Sequence, residues 1–275
     1  MKYSDSNDTN EGRKKSKKVP LYILLVVFLL ILLAGLGYVL FVFIGNLKAQ
    51  NDYNDLRSKV SVSSDTSTVP QTSGVPDSVA DNPVDFDELK EINEDIYAWI
   101  NIPNTNVDYP VLQSGDSDFF YLDHDIYKNY LFAGSIYSES CNSKDFSDRN
   151  TVLYGHNMLD GSMFATLHRF EDKDFFDENK YIYVYQQNRK LTYEIVSAYN
   201  YDSRHLMNSF NFNDDKVFED YIESVKNPHS VVFNVRSDVE LTLDSKLITL
   251  STCLNGNDDG RYLVQGVLIK DEPTK

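Results

Sequence analysis

Leu247-Ile248-Thr249-Leu250-Ser251-Thr252-Cys253 is an apolar, β-branched run that ends on a thiol. Such a composition marks a strand. After a turn rich in Asn, Asp and Gly comes Arg261, followed at once by a second apolar run at residues 262–269. If the two runs are adjacent antiparallel strands, the connection returns the guanidinium close to the thiol. Arginine keeps its charge at every relevant pH and presents several donors. A surface arginine would show the same spacing. The oxygen-rich turn does not fit an EF-hand loop, and its residues are those any tight turn uses.

Upstream, the run at residues 150–154 ends in Tyr154-Gly155-His156-Asn157, where Gly155 permits a tight exit from a strand. Taken singly, a strand-end cysteine reads as a small buried hydrophobe and a strand-end histidine as a satisfied polar residue. Together, Cys253, His156 and Arg261 supply a nucleophile, a proton carrier and a fixed positive charge, the parts of a covalent acyl-transfer enzyme. His124, His168, His205 and His229 stand in polar or helical contexts and read as surface residues.

Strand-like segments dominate the chain after residue 106: residues 107–113, 134–137, 150–154, 181–186, 191–199, 239–243, 247–253 and 262–269. Before them, Phe86, Leu89, Ile92, Ile96 and Trp99 repeat every three or four residues, which predicts one helix capped by Asp85 and ending before Ile102-Pro103. Further helices are expected at residues 163–169 and, with Val217, Phe218, Tyr221, Ile222 and Val225 on one face, at residues 214–225. About eight short strands with few helices predict a mostly β fold, a barrel or sandwich with an N-terminal helix and one helix before the last strands.

Residues 21–44 read LYILLVVFLLILLAGLGYVLFVFI without a charge, enough for a helix to span a hydrocarbon core of about 30 Å. A cleaved signal peptide would have a shorter apolar region and a small-residue cleavage site. An uncleaved signal-anchor fits better. The basic tail at residues 1–18 then places the N-terminus in the cytoplasm and the rest outside. The expected organisation is a cytoplasmic tail (1–18), a transmembrane anchor (19–45), an extracellular linker (46–82), helical around residues 49–60 and then flexible, and one catalytic domain (83–275).

The tail holds six Lys or Arg and three Asp or Glu, so within a total of −16 the remainder carries −19. A domain this acidic repels nucleic acid, and no nucleic-acid partner is expected. Only Cys141 and Cys253 occur. An extracellular chain could bridge them. Against that, Cys141 sits in a polar loop, Cys253 ends a strand beside candidate catalytic groups, and a domain of this size needs no covalent staple.

The string Thr249-Leu250-Ser251-Thr252-Cys253, with Arg261 downstream and Tyr154-Gly155-His156-Asn157-Met158 upstream, resembles the sortases, and class B in particular. The resemblance runs from about residue 85 to 270. It takes in Ala98-Trp99-Ile100, Ile102-Pro103-Asn104-Thr105, Val107-Asp108-Tyr109-Pro110-Val111 and Gly134-Ser135-Ile136-Tyr137, and the helix at residues 214–225. It implies a sortase-like β-barrel and a membrane-anchored cysteine transpeptidase of a Gram-positive bacterium, without a cofactor or metal. On that reading Cys253 attacks the Thr carbonyl of a sorting pentapeptide, His156 is the general acid/base and Arg261 the oxyanion and substrate-orienting group. A peptidoglycan cross-bridge or stem amine resolves the thioacyl enzyme.

Class B members accept an Asn-Pro-x-Thr-x kind of motif, and clostridial-type enzymes vary at its first and last positions. The resemblance further implies that Ser251, Thr252, Leu122 and Asn157 line the groove, and that the loop at residues 203–210, with Ser203 and Met207, grips the substrate. Met207 stands where some members have Tyr, and Asp118 where some have Asn. The order His before Cys excludes a papain-like protease. A tethered, non-catalytic β-domain acting as receptor or adhesin is the competing class.

Overall fold

β8 (Leu247–Leu254) and β9 (Asn257–Pro273) form the predicted antiparallel pair, joined by a tighter turn than expected. Asn255-Gly256 makes a two-residue hairpin loop in which Gly256 takes φ +69°, a left-handed conformation that glycine adopts freely. β9 therefore starts five residues earlier than the sequence suggests. The structure, a computed structural model, describes residues 18–60 and 80–275. The expected basic tail before Lys18, and residues 61–79 of the expected linker, lie outside them.

Seven further strands complete the sheet: β1 (Ile96–Asn101), β2 (Asp108–Leu112), β3 (Ile136–Tyr137), β4 (Asn150–Tyr154), β5 (Tyr181–Gln186), β6 (Arg189–Tyr201) and β7 (Phe233–Val235). Their order is β5-β1-β2-β3-β4-β8-β9-β6-β7, and β5 also pairs with β6. That extra pairing closes eight strands into a barrel and leaves β7 as an appendage on β6. Closure removes the sheet edges that would otherwise invite association. Parallel pairs occur at β2–β3 and β4–β8.

Two apolar layers sandwich this wall. Inside the barrel lie Trp99, Phe164, Leu153, Ile248, Leu250, Tyr262 and Val264. Outside, Val152, Val196, Leu247 and Leu263 pack against Phe218, Tyr221, Ile222 and Val225. Those four belong to α5 (Asp215–Lys226), matching the expected amphipathic helix. Asp214 caps it, accepting from the Lys216 and Val217 amides.

Elsewhere the structure corrects the sequence reading. The single helix expected from Phe86 to Trp99 is a helix, α2 (Phe86–Ile92), followed by strand β1. Asn93 makes the break. Its amide nitrogen donates to the Tyr121 hydroxyl (2.8 Å) and the Ile126 carbonyl (3.0 Å), and its side-chain oxygen accepts from Asp95 N. Ile96, Ala98, Trp99 and Ile100 are all buried, so β1 lacks the alternation that would have marked it as a strand.

The strand expected at residues 239–243 is absent; the partner of β6 is β7, and residues 242–245 form a turn. The helix expected at residues 163–169 is a 3-10 segment, Ala165–Glu171. Two short helices went unpredicted, α3 (Lys173–Glu178) and α4 (Leu206–Ser209).

Residues up to Gly45 and residues from Asn46 on form two units. In the first, the apolar stretch is helical and long enough to cross a membrane. It belongs to α1 (Lys18–Lys59). In the second unit, the end of α1 is helical, as expected around residues 49–60, but it packs on the domain where a linker was expected. Ala49, Tyr53, Leu56 and Val60 are buried, on one helical face. The Tyr53 hydroxyl hydrogen-bonds that of Ser135 (3.1 Å), and its ring meets Tyr109 edge-on. Arg57 lies over the Tyr109 ring (4.3 Å) and donates to the Asp108 carbonyl (2.8 Å). The segment is thus part of the domain's packing.

In a soluble fragment beginning at Asn46, Leu56→Ala should lower the unfolding free energy by about 2–5 kcal/mol, the usual cost of truncating a buried leucine. Urea titration gives the value; an unchanged midpoint would mean that this helical segment does not dock.

Candidate active site

β4 and β8 run side by side in parallel, with Asn150 opposite Leu247 and Tyr154 opposite Ser251. Gly155 N extends the ladder by donating to the Ser251 carbonyl (3.2 Å). Two residues beyond that last pair lie His156 on one chain and Cys253 on the other, so both leave the sheet at the same end. On the other side of β8, Cys253 pairs directly with Arg261 of β9. Directly opposed residues of an antiparallel pair project to the same face, with Cβ atoms about 5 Å apart. Three neighbouring strand ends thereby bring together the three residues singled out in the sequence.

Strand alternation sorts the neighbours. Ile248 and Leu250 belong to the barrel interior, Leu247 to the outer layer. Ser251 and Cys253 therefore share the outer face, and Thr252 points inward beside its register partner Tyr262. The Thr252 hydroxyl is fully buried. This corrects the expectation that its side chain lines the groove; only its backbone borders the thiol.

Both cysteines are free thiols, with Cys253 half-buried and Cys141 exposed. Desolvation and the charge of Glu139 push the Cys141 thiol up to about 11. No bridge links the two.

His156 is anchored through Nε2, which lies 2.8 Å from the Leu122 carbonyl. A carbonyl can only accept, so Nε2 carries the proton, and in the neutral ring Nδ1 is left as the acceptor. Phe132 lies beside the imidazole, with ring centroids 5.6 Å apart. The Leu122 side chain is exposed while its carbonyl holds the histidine. Gly134 makes room for that carbonyl: at φ +56°, a Cβ there would sit 2.3 Å from Leu122 O.

Arg261, half-buried, donates from Nη1 to the Gly260 carbonyl (2.9 Å). Its charge also reaches Tyr137, whose phenol burial holds well above its ordinary range, with Glu139 adding to the effect and Arg261 opposing it. Tyr137 stacks on Tyr154 (5.4 Å).

The loop at residues 203–210 is fastened over this face. His205 Nε2 lies 2.5 Å from the buried Glu139 carboxylate, and the ring stacks on Tyr154 (6.0 Å). Nδ1 of the same ring accepts from Asn208 N (3.3 Å) and so caps α4. Met207 packs against the outer apolar layer, and Ser203 is exposed. Asp118 is held below the usual carboxylate range by the Ser140 amide, which donates to it at 2.7 Å. His205 is thus a structural fastener, not the surface residue its local sequence suggests.

Two residues serve the nucleophile from behind. Asn157 Nδ2 donates to the Cys253 carbonyl (3.1 Å) and to Asn255 Oδ1 (2.9 Å), so it braces the strand end where the sequence suggested a substrate contact. His168, also expected at the surface, has a side chain only 8% exposed and places Nε2 2.9 Å from the same carbonyl. The assembled trio can attack a carbonyl, carry a proton and hold an oxyanion.

The domain resembles known proteins. Residues 100–269 match the family model described as the sortase domain. The chain is 36% identical over 184 residues to Sortase B of Listeria monocytogenes, covering 66% of this chain and 73% of that protein. Among solved structures it resembles Clostridium perfringens sortase B (TM-score 0.61, 34% identity, 68% of this chain and 100% of that one). It also resembles a Staphylococcus aureus sortase B–substrate complex (TM-score 0.60, 30% identity, 67% of this chain and 84% of that one).

Gly134→Ala should combine left-handed strain with a backbone clash, costing about 2–4 kcal/mol of stability. It should also displace the Leu122 carbonyl from His156. The check is urea unfolding together with turnover; an Ala variant as stable and active as the parent would remove the carbonyl's role. Near neutral pH, where Cys141 stays protonated, iodoacetamide should label Cys253 well before Cys141. Peptide mapping showing the reverse order would contradict the assignment.

Proposed function

Because the chain belongs to the sortase family, and within it to class B, we propose that Cys253, His156 and Arg261 are the catalytic residues of its transpeptidation. The enzyme is a cysteine transpeptidase acting on sorting-signal peptides. The observation that carries the assignment is the register of three adjacent strands, which sets Cys253 opposite Arg261 and ends β4 and β8 together.

The Cys253 thiol passes its proton to Nδ1 of His156, and the sulfur attacks the Thr carbonyl of the sorting motif, forming a C–S bond and a tetrahedral oxyanion. Arg261 stabilises that charge with a guanidinium already in place, so little reorganisation is needed as it develops. Collapse breaks the C–N bond after Thr, and protonated His156 gives its proton to the leaving amine. An acceptor amine then attacks the thioester and passes a proton to the imidazole as the new amide forms. The Cys253 sulfur leaves, and the enzyme is regenerated. Nδ1, the nitrogen not engaged by Leu122, suits the proton traffic.

The groove would be bordered by Ser251, the backbone of Thr252, Leu122 and the loop carrying Ser203 and Met207, reading an Asn-Pro-x-Thr-x or Ser-Pro-x-Thr-x kind of motif. The acceptor would be a peptidoglycan cross-bridge or stem amine. Residues 21–44 would anchor the enzyme in the cell membrane with the N-terminus cytoplasmic and the catalytic domain outside. Within that domain residues 49–60 belong to the fold, and the linker proper is shorter than the sequence alone suggested. Family membership leaves the receptor or adhesin reading without support.

Labelled peptides of both kinds, incubated with enzyme and a small amine, provide the test. Cys253→Ala and His156→Ala should abolish turnover, and Arg261→Ala should lower kcat by about a hundredfold or more, the scale of losing an oxyanion donor. Cys141→Ala should leave turnover nearly intact. Equal loss from the two cysteine variants would overturn the proposal.

A further inference from the structure

The regular β8–β9 pairing shifts between Cys253 and Leu254: Cys253 opposes Arg261, but Leu254 opposes Asn257. The nucleophile is therefore the last residue held by the regular ladder. At that point its carbonyl receives two side-chain donors, Asn157 Nδ2 at 3.1 Å and His168 Nε2 at 2.9 Å. The histidine is itself fixed on every side. Its Nδ1 lies 2.5 Å from Glu171 Oε1, its ring stacks on Tyr262 at 4.6 Å, and its side chain is 8% exposed. Nε2 faces the Cys253 carbonyl, which can only accept, and Nδ1 faces the Glu171 carboxylate, so the imidazole bridges the two, with Asn157 Nδ2 3.2 Å from Nε2.

Resting on the catalytic reading above, we propose that His168 is a positioning residue for the nucleophile. With Glu171 behind it and Asn157 beside it, it clamps the Cys253 peptide plane and so sets where the thiol points. The thiol and this carbonyl belong to one residue, and a rotation of that peptide swings Sγ relative to His156 and Arg261. A misplacement of about 1 Å in a reacting group costs on the order of a hundredfold in rate. Asn157 gives one amide N–H to that carbonyl and the other to Asn255 Oδ1, so it braces the same strand end. A purely structural role would ask of His168 only that its ring fill the space against Tyr262.

Two substitutions separate those roles in the full-length chain. His168→Phe keeps the aromatic ring on Tyr262 and removes the donor. His168→Gln removes the ring and retains an amide N–H near the position of Nε2. Turnover of a sorting-type peptide and hydrogen–deuterium exchange over residues 251–257 are measured on both, with thermal unfolding as a control. The expected result for Phe is a kcat lower by about 30- to 100-fold with KM little changed, and faster exchange over the strand end. Gln should stay within about fivefold of the parent in both readouts, on the same geometric argument.

Should His168→Phe fold poorly, Glu171→Ala, at a partly exposed position, releases the ring without touching Tyr262. It should give the same pattern at reduced size. Parent-like kcat and exchange in His168→Phe, or equal losses in Phe and Gln, would overturn the clamp. Inactive parent enzyme with the exchange difference intact would instead count against the transpeptidase reading and leave the clamp standing.

Discussion

A buried hydrogen-bond network fixes the register of the strands that carry the chemistry. Thr249 of β8 donates to Asn150 Oδ1 of β4 (2.8 Å), and Gln265 of β9 donates to the Thr249 hydroxyl (3.0 Å) and to that of Tyr221 in α5 (2.6 Å). Ser197 of β6 reaches Gln265 Oε1 (3.3 Å). Each of these side chains is essentially out of solvent. Apolar packing alone would tolerate alternative pairings. A one-residue slip, however, would exchange the faces of a whole strand and strand several of these polar groups, at about 1–3 kcal/mol each. It would also turn Cys253 into the barrel. The network thus holds β4, β8 and β9 in the one alignment that ends with His156, Cys253 and Arg261 together.

The strands place these residues, and the connections between strands orient them. The Leu122 carbonyl selects the tautomer of His156, and Gly134 leaves space for that carbonyl. Glu139 and His205 tie the loop at residues 203–210 to Tyr154, whose register partner, Ser251, lies two residues before the thiol. These supports are backbone groups and hydrogen-bonded side chains from distant parts of the chain. The site is consequently a property of the closed barrel, not of any one segment.

Much of this was legible in the sequence, for identifiable reasons. Six of the eight expected strands pair within a few residues of their predicted bounds, because β-branched and aromatic residues cluster between turn residues. The amphipathic α5 showed its buried face directly. Cys253 and Arg261 could be read as neighbours because a short turn separates them. β1 escaped notice because both of its faces are buried and its spacing continues that of α2. The end of α1 looked like linker because its partners, Tyr109 and Ser135, lie far along the chain. His168 and His205 carry no local signal, since their meaning comes from Cys253 and Glu139. Thr252, by contrast, was a missed inference: strand alternation with Cys253 already pointed it inward.

The central claim is that the Cys253 sulfur carries the acyl group between two amines. Intact-mass spectrometry of enzyme incubated with a sorting peptide and no acceptor amine tests it directly. The account predicts an adduct with the mass of the peptide up to and including Thr. It should map to Cys253 by fragmentation and be discharged on adding an amine. Peptide cleavage without any enzyme adduct, or an adduct mapping to Cys141, would contradict it.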